Sequence, residues 1–191
     1  MTDSRLAISR FTILSGILLA MLFLVAGQNA TKHVLSADEL KKADVDLLPA
    51  TTFLEDQLAE KGSVAGPKLS RAEEEDVDLG WNVAKEMARL DIGQTIIVKN
   101  GTVLAVEAFE GTNDAIKRGG ALAREGAVMI KVAKPNQDMR FDVPVIGFET
   151  IKVAADAKLG VIAVESGKTL LLERDRVVDL AHRAKISIVA R

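Results

Sequence analysis

The sequence predicts an α/β or α+β domain built on a mixed sheet with a β-hairpin and flanking helices. The hairpin gives the strongest signal, because residues 95–99 and 102–108 are both β-rich. Asn100 and Gly101 separate the two runs and are the preferred residues of a type I′ turn. Residues 76–90 carry apolar side chains at helical spacing, which predicts an amphipathic helix with one face on the core.

Strands and helices continue to alternate after the hairpin, with glycines and prolines between them. Trp81 is interpreted as part of the core rather than of a site, and the chain carries no internal repeat. The further predicted elements are helices over residues 113–124, 148–158 and 174–184, and strands over residues 127–132, 160–164, 169–172 and 186–189.

Composition excludes several classes of function. The 191 residues are enough for one domain with appendages. The 25 basic and 27 acidic residues leave a net charge of −2, so no global positive field attracts nucleic acid. The chain has no cysteine and two histidines, which excludes disulfides and thiolate metal sites and disfavours a zinc site or a serine-histidine triad.

The N-terminal segment is strongly apolar. Residues 11–27 form an apolar run that follows Arg5 and Arg10, a pattern typical of a signal peptide or a short membrane anchor. The run is near the lower length limit for a spanning helix, so a cleaved signal and an anchor both stay open. A buried helix of a soluble fold is a third interpretation. We treat residues 1–35 as a leader.

The next forty residues are interpreted as a lead-in segment and linker. Ser36 and Glu39 have the spacing of a capping box, which predicts a short helix through residue 42. Residues 45–48 are predicted as a strand and residues 54–61 as a helix. Residues 62–75 combine Gly, Pro and a run of charges, which favours an exposed linker. We therefore divide the chain into residues 1–35, 36–75 and 76–191.

One polar cluster lies in a segment where polar and apolar residues alternate. If this segment is extended, Asp138, Arg140 and Asp142 share one face. Carboxylate oxygens suit Mg²⁺ and a guanidinium suits a phosphate, so this face could hold a metal-bound pyrophosphate. The alternative is an exposed strand edge with a solvated ion pair.

A second cluster lies where the hairpin meets the following helix. Thr112 is the predicted N-cap, and a helix start with Gly111, Thr112 and Asn113 offers free N–H groups to a phosphate. Glu107 and Glu110 could ligate a metal or activate water. A loop glycine and a capping residue among surface acids form the alternative interpretation.

Three stretches together resemble one known family. They are LDIGQTIIVKNGTVLAVEAFEGTNDAIKRGG, KVAKPNQDMRFDVPVIGFETI and GVIAVESGKTLLL. In content and order they resemble the LpxI-type UDP-2,3-diacylglucosamine pyrophosphatases, and the resemblance covers about residues 37–191. It implies the fold of the LpxI C-terminal domain, with residues 76–191 as the catalytic domain.

The resemblance also implies a reaction. It is Mg²⁺-dependent hydrolysis of the pyrophosphate in UDP-2,3-diacylglucosamine, which yields UMP and lipid X. The family's catalytic aspartate, in its QD-x-R motif, corresponds to Asp138. Together with the two polar clusters, this correspondence leads to hypotheses for the site residues. They are catalytic (Asp138, Asp142, Arg140), substrate-binding (Gly111, Thr112, Asn113, Lys134, Gln137) and metal-binding (Asp138, Glu110, Asp142).

The chain departs from the family at two points. Asn113 stands where the family commonly has an aspartate, and the family's N-terminal domain is absent from this sequence. The alternatives are therefore a catalytically weak domain that binds a lipid or nucleotide sugar, or a membrane-tethered interaction module. The expected partners are a lipid-linked UDP-sugar and a membrane surface, with no nucleic acid and an open oligomeric state. The expected location is the cytoplasmic face of the inner membrane, with residues 11–27 as a candidate anchor and export as the alternative.

Overall fold

The computed structural model describes residues 37–46, 48–135 and 142–191. The chain divides into two compact units, Met1–Leu47 and Leu48–Arg191. In the first unit, helix α1 (Ala37–Lys42) confirms the short helix expected there. No helix in the described ranges is both long and apolar enough to cross a membrane. The leader over residues 11–27 lies outside these ranges.

The second unit contains four helices and eight strands within its described residues. The helices are α2 (Arg71–Arg89), α3 (Thr112–Ala123), α4 (Phe148–Asp156) and α5 (Arg174–Ala184). The strands are β1 (Gly62–Ala65), β2 (Thr95–Lys99), β3 (Thr102–Val106), β4 (Ala127–Lys131), β5 (Val145–Ile146), β6 (Leu159–Val164), β7 (Leu170–Leu171) and β8 (Ser187–Ala190).

Six of these strands form one mixed sheet in the order β1-β8-β6-β4-β2-β3. Strands β4, β6 and β8 are parallel. Strands β1, β2 and β3 pair antiparallel with their neighbours. Strands β5 and β7 form a separate two-stranded parallel sheet. The architecture confirms the predicted mixed sheet with a hairpin and flanking helices.

Helices cover both faces of the large sheet. Because side chains alternate along a strand, Ile97 and Met129 join the apolar cluster of α3, α4 and α5. Ile96 and Ile130 point to the other face and join the cluster of α2. All four side chains are fully buried. This burial on both faces explains why the central strands are continuous apolar runs rather than alternating ones.

The predicted hairpin is confirmed at its turn. Asn100 and Gly101 both have positive φ, at 50° and 71°, as a type I′ turn requires. The buried Asp76 of α2 accepts hydrogen bonds from the amides of Asn100 at 2.8 Å and Gly101 at 2.6 Å. Helix α2 therefore fixes the turn through a carboxylate.

The linker predicted over residues 62–75 is wrong. This stretch supplies strand β1, which pairs with β8 at the edge of the sheet, and the first turns of α2. Ser70 and Glu73 form a capping box that starts the helix, several residues before the predicted start. The charged run concealed this start, and a four-residue strand that begins with a glycine carries little periodicity. The division into residues 1–35, 36–75 and 76–191 by role stays a prediction.

Two further local predictions are also wrong. The strand expected over residues 45–48 is irregular at its described residues, where Val45 and Leu48 are exposed and gain nothing from pairing. The helix expected over residues 54–61 is reduced to the 3-10 turn Glu55–Gln57. Leu58 is extended after this turn and bridges to Leu170, because pairing with the small sheet replaces further helical turns.

Candidate active site

The ends of several strands meet at one edge of the large sheet. Parallel strands β4, β6 and β8 all end at this edge. Strand β3 also ends there, because two antiparallel pairings, β3 with β2 and β2 with β4, return it to the direction of β4. Ligands of open α/β sheets bind beyond the carboxyl ends of the parallel strands. Polar side chains at this edge are therefore candidates for ligand binding.

Strand register brings three polar residues into one row at this edge. The Glu107 amide donates to the Thr95 carbonyl at 2.9 Å, and Thr95 pairs with Lys131 on the next strand. By alternation, these side chains point to the same face as Ile97 and Met129, which is the face covered by α3. The row therefore lies under the start of α3.

A chain of two hydrogen bonds links this row to α3. The Lys131 ammonium donates to the Thr112 hydroxyl at 2.8 Å. That hydroxyl donates to Oε1 of Glu107 at 2.7 Å. Glu107 is 7% exposed and Lys131 is 6% exposed, so both charges are buried. We name Glu107, Thr112 and Lys131 the Glu107 cluster.

Two buried oxygens of the same row lack hydrogen-bond partners among the described residues. They are Oε2 of Glu107 and Oγ1 of Thr95. Folded proteins satisfy the large majority of their buried polar atoms, so an unsatisfied pair at one edge is unusual. The arrangement can accept a donor or a cation from a ligand or water.

The electrostatics of Lys131 reflect this burial. Burial lowers the pKa of Lys131, whereas the nearby charges of Glu107 and Asp142 act in the opposite direction. Asp142 itself is exposed. Its charge acts on Lys131 and also on Lys134, so it lies near the Glu107 cluster, and its catalytic and metal-binding roles stay predictions.

The start of α3 differs from the prediction that Thr112 caps it. Gly111 is the N-cap, at φ 82° and ψ 170°, a region that is almost restricted to glycine. The Thr112 hydroxyl is bound to Glu107 and makes no cap. The first N–H groups of a helix have no partners within it, and Asn113 and Asp114 are in this first turn. A helix start therefore lies beside the Glu107 cluster, and its use as a phosphate cradle stays a prediction.

Glu110 lies in the loop before this helix and is already bound. Arg118 donates to its Oε1 at 2.5 Å and the Ala108 amide donates to its Oε2 at 3.1 Å. The pKa of Glu110 is lowered, first by its own backbone amide and then by Arg118. Both carboxylate oxygens are thus occupied, and a metal-binding role for Glu110 stays a prediction.

Lys134 lies three residues after the end of β4 at Lys131. Its ammonium contacts the Asp91 carboxylate at 2.6 Å, and this hydrogen bond raises the pKa of Lys134. Lys134 is therefore a cation near the same edge of the sheet, and its contact with a phosphate stays a prediction.

Gln137, Asp138 and Arg140 lie outside the described residues. Their predicted roles therefore stay predictions. Within the described part of the chain, no group of three or more His, Cys, Asp or Glu side chains is placed to hold a metal ion. A metal site with three carboxylates would need a ligand from elsewhere, and Asp138 is the predicted one.

Local sequence patterns give no reason to select Thr95, and Lys131 is one of several scattered basic residues in the sequence. Both residues are at the ends of buried strands, and only the register places them beside Glu107. Glu165 was also missed. It directly follows β6 and is 8% exposed. A charged residue at the carboxyl end of an apolar strand was the available signal.

A separate groove lies between α3 and α4, toward the end of α3. It has a volume of about 470 Å³ and is lined in part by Lys117, Arg124 and Lys158. Ala121 and Val153 contribute apolar surface to it. The charged groups of this groove, among them Lys117, are on the surface. We favour the cluster as the reactive site, because burial strengthens electrostatic interactions.

Comparisons with known proteins agree with the resemblance. The family model of the LpxI C-terminal domain matches residues 60–189. The chain is 37% identical over 154 residues to UDP-2,3-diacylglucosamine pyrophosphatase LpxI of Caulobacter vibrioides. This match covers 75% of the chain and 54% of the relative, so the chain spans about half the length of that relative. The chain therefore belongs to the family defined by the LpxI C-terminal domain.

Proposed function

We propose that this protein hydrolyses the pyrophosphate of UDP-2,3-diacylglucosamine to UMP and lipid X, in lipid A biosynthesis and with Mg²⁺. The observation that carries the proposal is the Glu107 cluster at the carboxyl edge of the sheet, where a buried ammonium and a buried carboxylate flank a helix start. The activity named for the Caulobacter vibrioides relative supplies the substrate.

The phosphate-binding part of the site has two components. The first turn of α3 offers N–H groups and the positive end of the helix dipole, and Gly111 permits the sharp entry to this turn. Lys131 supplies a buried ammonium, and Lys134 supplies a second cation. Donors that are fixed before the reaction stabilise charge that develops on phosphate oxygens. Arg140 and Gln137 are proposed as further contacts.

The residues that would hold Mg²⁺ are Asp138, Asp142 and Glu110. The fit is partial among the described residues: Asp142 is exposed near two lysines, and Glu110 would have to release Arg118. Carboxylate oxygens are the ligands that Mg²⁺ prefers. When bound, Mg²⁺ would neutralise phosphate oxygens and polarise water.

Glu107 is the proposed proton acceptor for the attacking water. Its Oε1 is held by Thr112, whereas its Oε2 has no partner within the described ranges. The fixed oxygen orients the carboxylate, and the other oxygen can accept a proton. Asp138 is the alternative acceptor.

A second candidate function is binding of the nucleotide sugar or its lipid without turnover. The observation that favours it is length, because the chain spans about half of the relative.

The two functions are distinguished by UMP release from UDP-2,3-diacylglucosamine in the presence of Mg²⁺. Hydrolysis predicts release that is abolished by EDTA and by Asp138→Ala but retained in Asp156→Ala, a matched change at an exposed aspartate of α4. Binding of UMP by folded wild type without any release would contradict hydrolysis and support the binding function.

We also propose that the protein acts at the cytoplasmic face of the inner membrane, since a lipid substrate resides in a membrane. Residues 11–27 are the proposed anchor, and export is the alternative. Protease treatment of intact spheroplasts tests this. Protection of the main domain is expected, and digestion from outside would contradict the proposed location.

A further inference from the structure

Glu165 is a buried carboxylate that the proposed reaction does not use. It directly follows β6 and is 8% exposed. Three donors converge on it: the Lys85 ammonium at 2.5 Å, the Lys168 ammonium at 2.9 Å and the Ala133 amide at 2.8 Å. Lys85 and Ala133 share Oε2, and Lys168 binds Oε1. Both oxygens are engaged, so Glu165 has no free atom for chemistry.

The environment keeps Glu165 charged. Burial raises its pKa, but hydrogen bonds from Lys85, Lys168 and the Ala133 amide outweigh burial, and the pKa is lowered overall. A charged acceptor makes stronger hydrogen bonds than a neutral one. The bond to the Ala133 amide is therefore a firm attachment of the backbone.

This attachment holds the chain where it leaves β4. The Val132 amide donates to the Gln94 carbonyl on the β2 side at 3.0 Å, and the Ala133 amide donates to Glu165 on the β6 side. The two bonds fix consecutive peptide groups from opposite sides. Lys131 immediately precedes this pair and Lys134 immediately follows it.

We infer that Glu165 is a positioning residue of the proposed active site: by fixing the backbone between Lys131 and Lys134, it sets where both ammonium groups stand. The inference rests on the proposed function for its catalytic meaning. An ion pair that only ties α2 to β6 is the structural alternative, and it makes a different prediction for Lys85.

Three variants separate these interpretations. Glu165→Ala removes the acceptor of the Ala133 amide. Glu165→Gln keeps a carbonyl oxygen for that amide and loses the charge. Lys85→Met removes an ammonium and leaves the bond between Glu165 and Ala133 in place. Circular dichroism and thermal unfolding establish that each variant is folded before it is assayed.

The readouts are kcat and KM for UMP release, and hydrogen exchange of the Ala133 amide by NMR. For Glu165→Ala we expect kcat to fall about 100-fold, the effect of a small misplacement of reacting groups, together with faster Ala133 exchange. Glu165→Gln should retain much of the wild-type kcat and much of the slow exchange of the Ala133 amide. Lys85→Met should leave kcat within about twofold of wild type, as for a peripheral change.

Equal losses of kcat in Lys85→Met and Glu165→Ala would overturn the inference, because loss of the ion pair alone would then explain both losses. Unchanged Ala133 exchange in Glu165→Ala would also overturn it. A folded wild type that releases no UMP would instead contradict the proposed function, and the exchange rates would still decide whether Glu165 holds the exit of β4.

Discussion

Glu107 and Glu165 are two carboxylates at the same edge of one sheet, and they are almost equally buried, at 7% and 8% exposure. Glu165 receives three hydrogen bonds, two of them from lysines. Glu107 receives one from Thr112, and its second oxygen has no partner in the described part of the chain. Because burial is the same, the difference lies in how far each charge is satisfied.

This difference distinguishes a carboxylate that stabilises the fold from one that can bind a ligand. A buried carboxylate with all its partners stabilises the architecture and has no capacity left for a ligand. A buried carboxylate with a free oxygen costs stability until a ligand, water or ion satisfies it. Glu107 fits the second description and Glu165 the first. Functional sites are where proteins retain such locally unfavourable features.

Loss of the Lys131 ammonium should have the largest effect. In Lys131→Met the buried cation of the Glu107 cluster is lost, and we expect kcat to fall about 10²–10³-fold, as when a preorganised donor is removed. Steady-state UMP release measures this. Lys117→Met is the matched control, since Lys117 is exposed and pairs with Asp114 at the surface. Equal activity of both variants would place the site elsewhere.

Thr112 joins the two charges of the Glu107 cluster, so removal of its hydroxyl should cost stability. Thr112→Val leaves a buried ammonium and a buried carboxylate oxygen each without a partner, and each loss costs about 1–3 kcal/mol. Urea unfolding measures the difference. Thr112→Ser keeps the hydroxyl and should unfold close to wild type. If the valine and serine variants unfolded alike, the two hydrogen bonds would contribute nothing.

Glu165→Gln should destabilise the fold by about 1.5–3 kcal/mol near neutral pH, the contribution of hydrogen bonds to a charged group. The folded pKa of Glu165 lies below its ordinary value of 4.5, so the unfolded chain binds the proton more readily. The stability that the charge provides is present above pH 4.5 and is lost as pH falls through the folded pKa.

Urea unfolding at about pH 7 and about pH 3 tests this dependence. The difference in the free energy of unfolding between wild type and Glu165→Gln should be smaller at the lower pH. A difference that stayed constant would mean that packing, rather than charge, makes Glu165 stabilising.

Two glycine N-caps offer the smallest of the four effects. Gly111→Ala places a side chain at φ 82° before α3, which should cost about 1–2 kcal/mol in backbone strain. Gly147→Ala before α4 is the matched control, because Gly147 has φ −138° and its added Cβ would make ordinary contacts. Thermal unfolding compares them. Similar melting temperatures would remove the argument that α3 needs glycine at its start.

Local sequence patterns predicted much of the fold. The Asn100-Gly101 turn and the periodic helices need only neighbouring residues to be recognised, and the structure confirms them. Strand β1 was not predicted, because its four residues are stabilised by pairing with β8, more than 120 positions later in the chain. The helix expected over residues 54–61 failed for a related reason, since Leu58 pairs with the distant Leu170.

The site was predicted in part for the same reason. Gly111 and Thr112 were selected from the loop before a helix, and both lie at the described cluster. Lys131 and Thr95 meet Glu107 only through the register of three strands, which no local pattern specifies. Thr112 was assigned to the cap because its side chain suits that position, but the nearby carboxylate of Glu107 binds its hydroxyl instead.

We propose that the start of α3 and the Glu107 cluster form the ligand site. The most direct test of this ligand site is an NMR titration of the full chain with UMP and Mg²⁺, in which the chemical shifts of the backbone amides are followed. We predict the largest shifts at Gly111, Thr112 and Lys131. Shifts confined to the groove at Arg124 and Lys158, with none at these three amides, would contradict the claim.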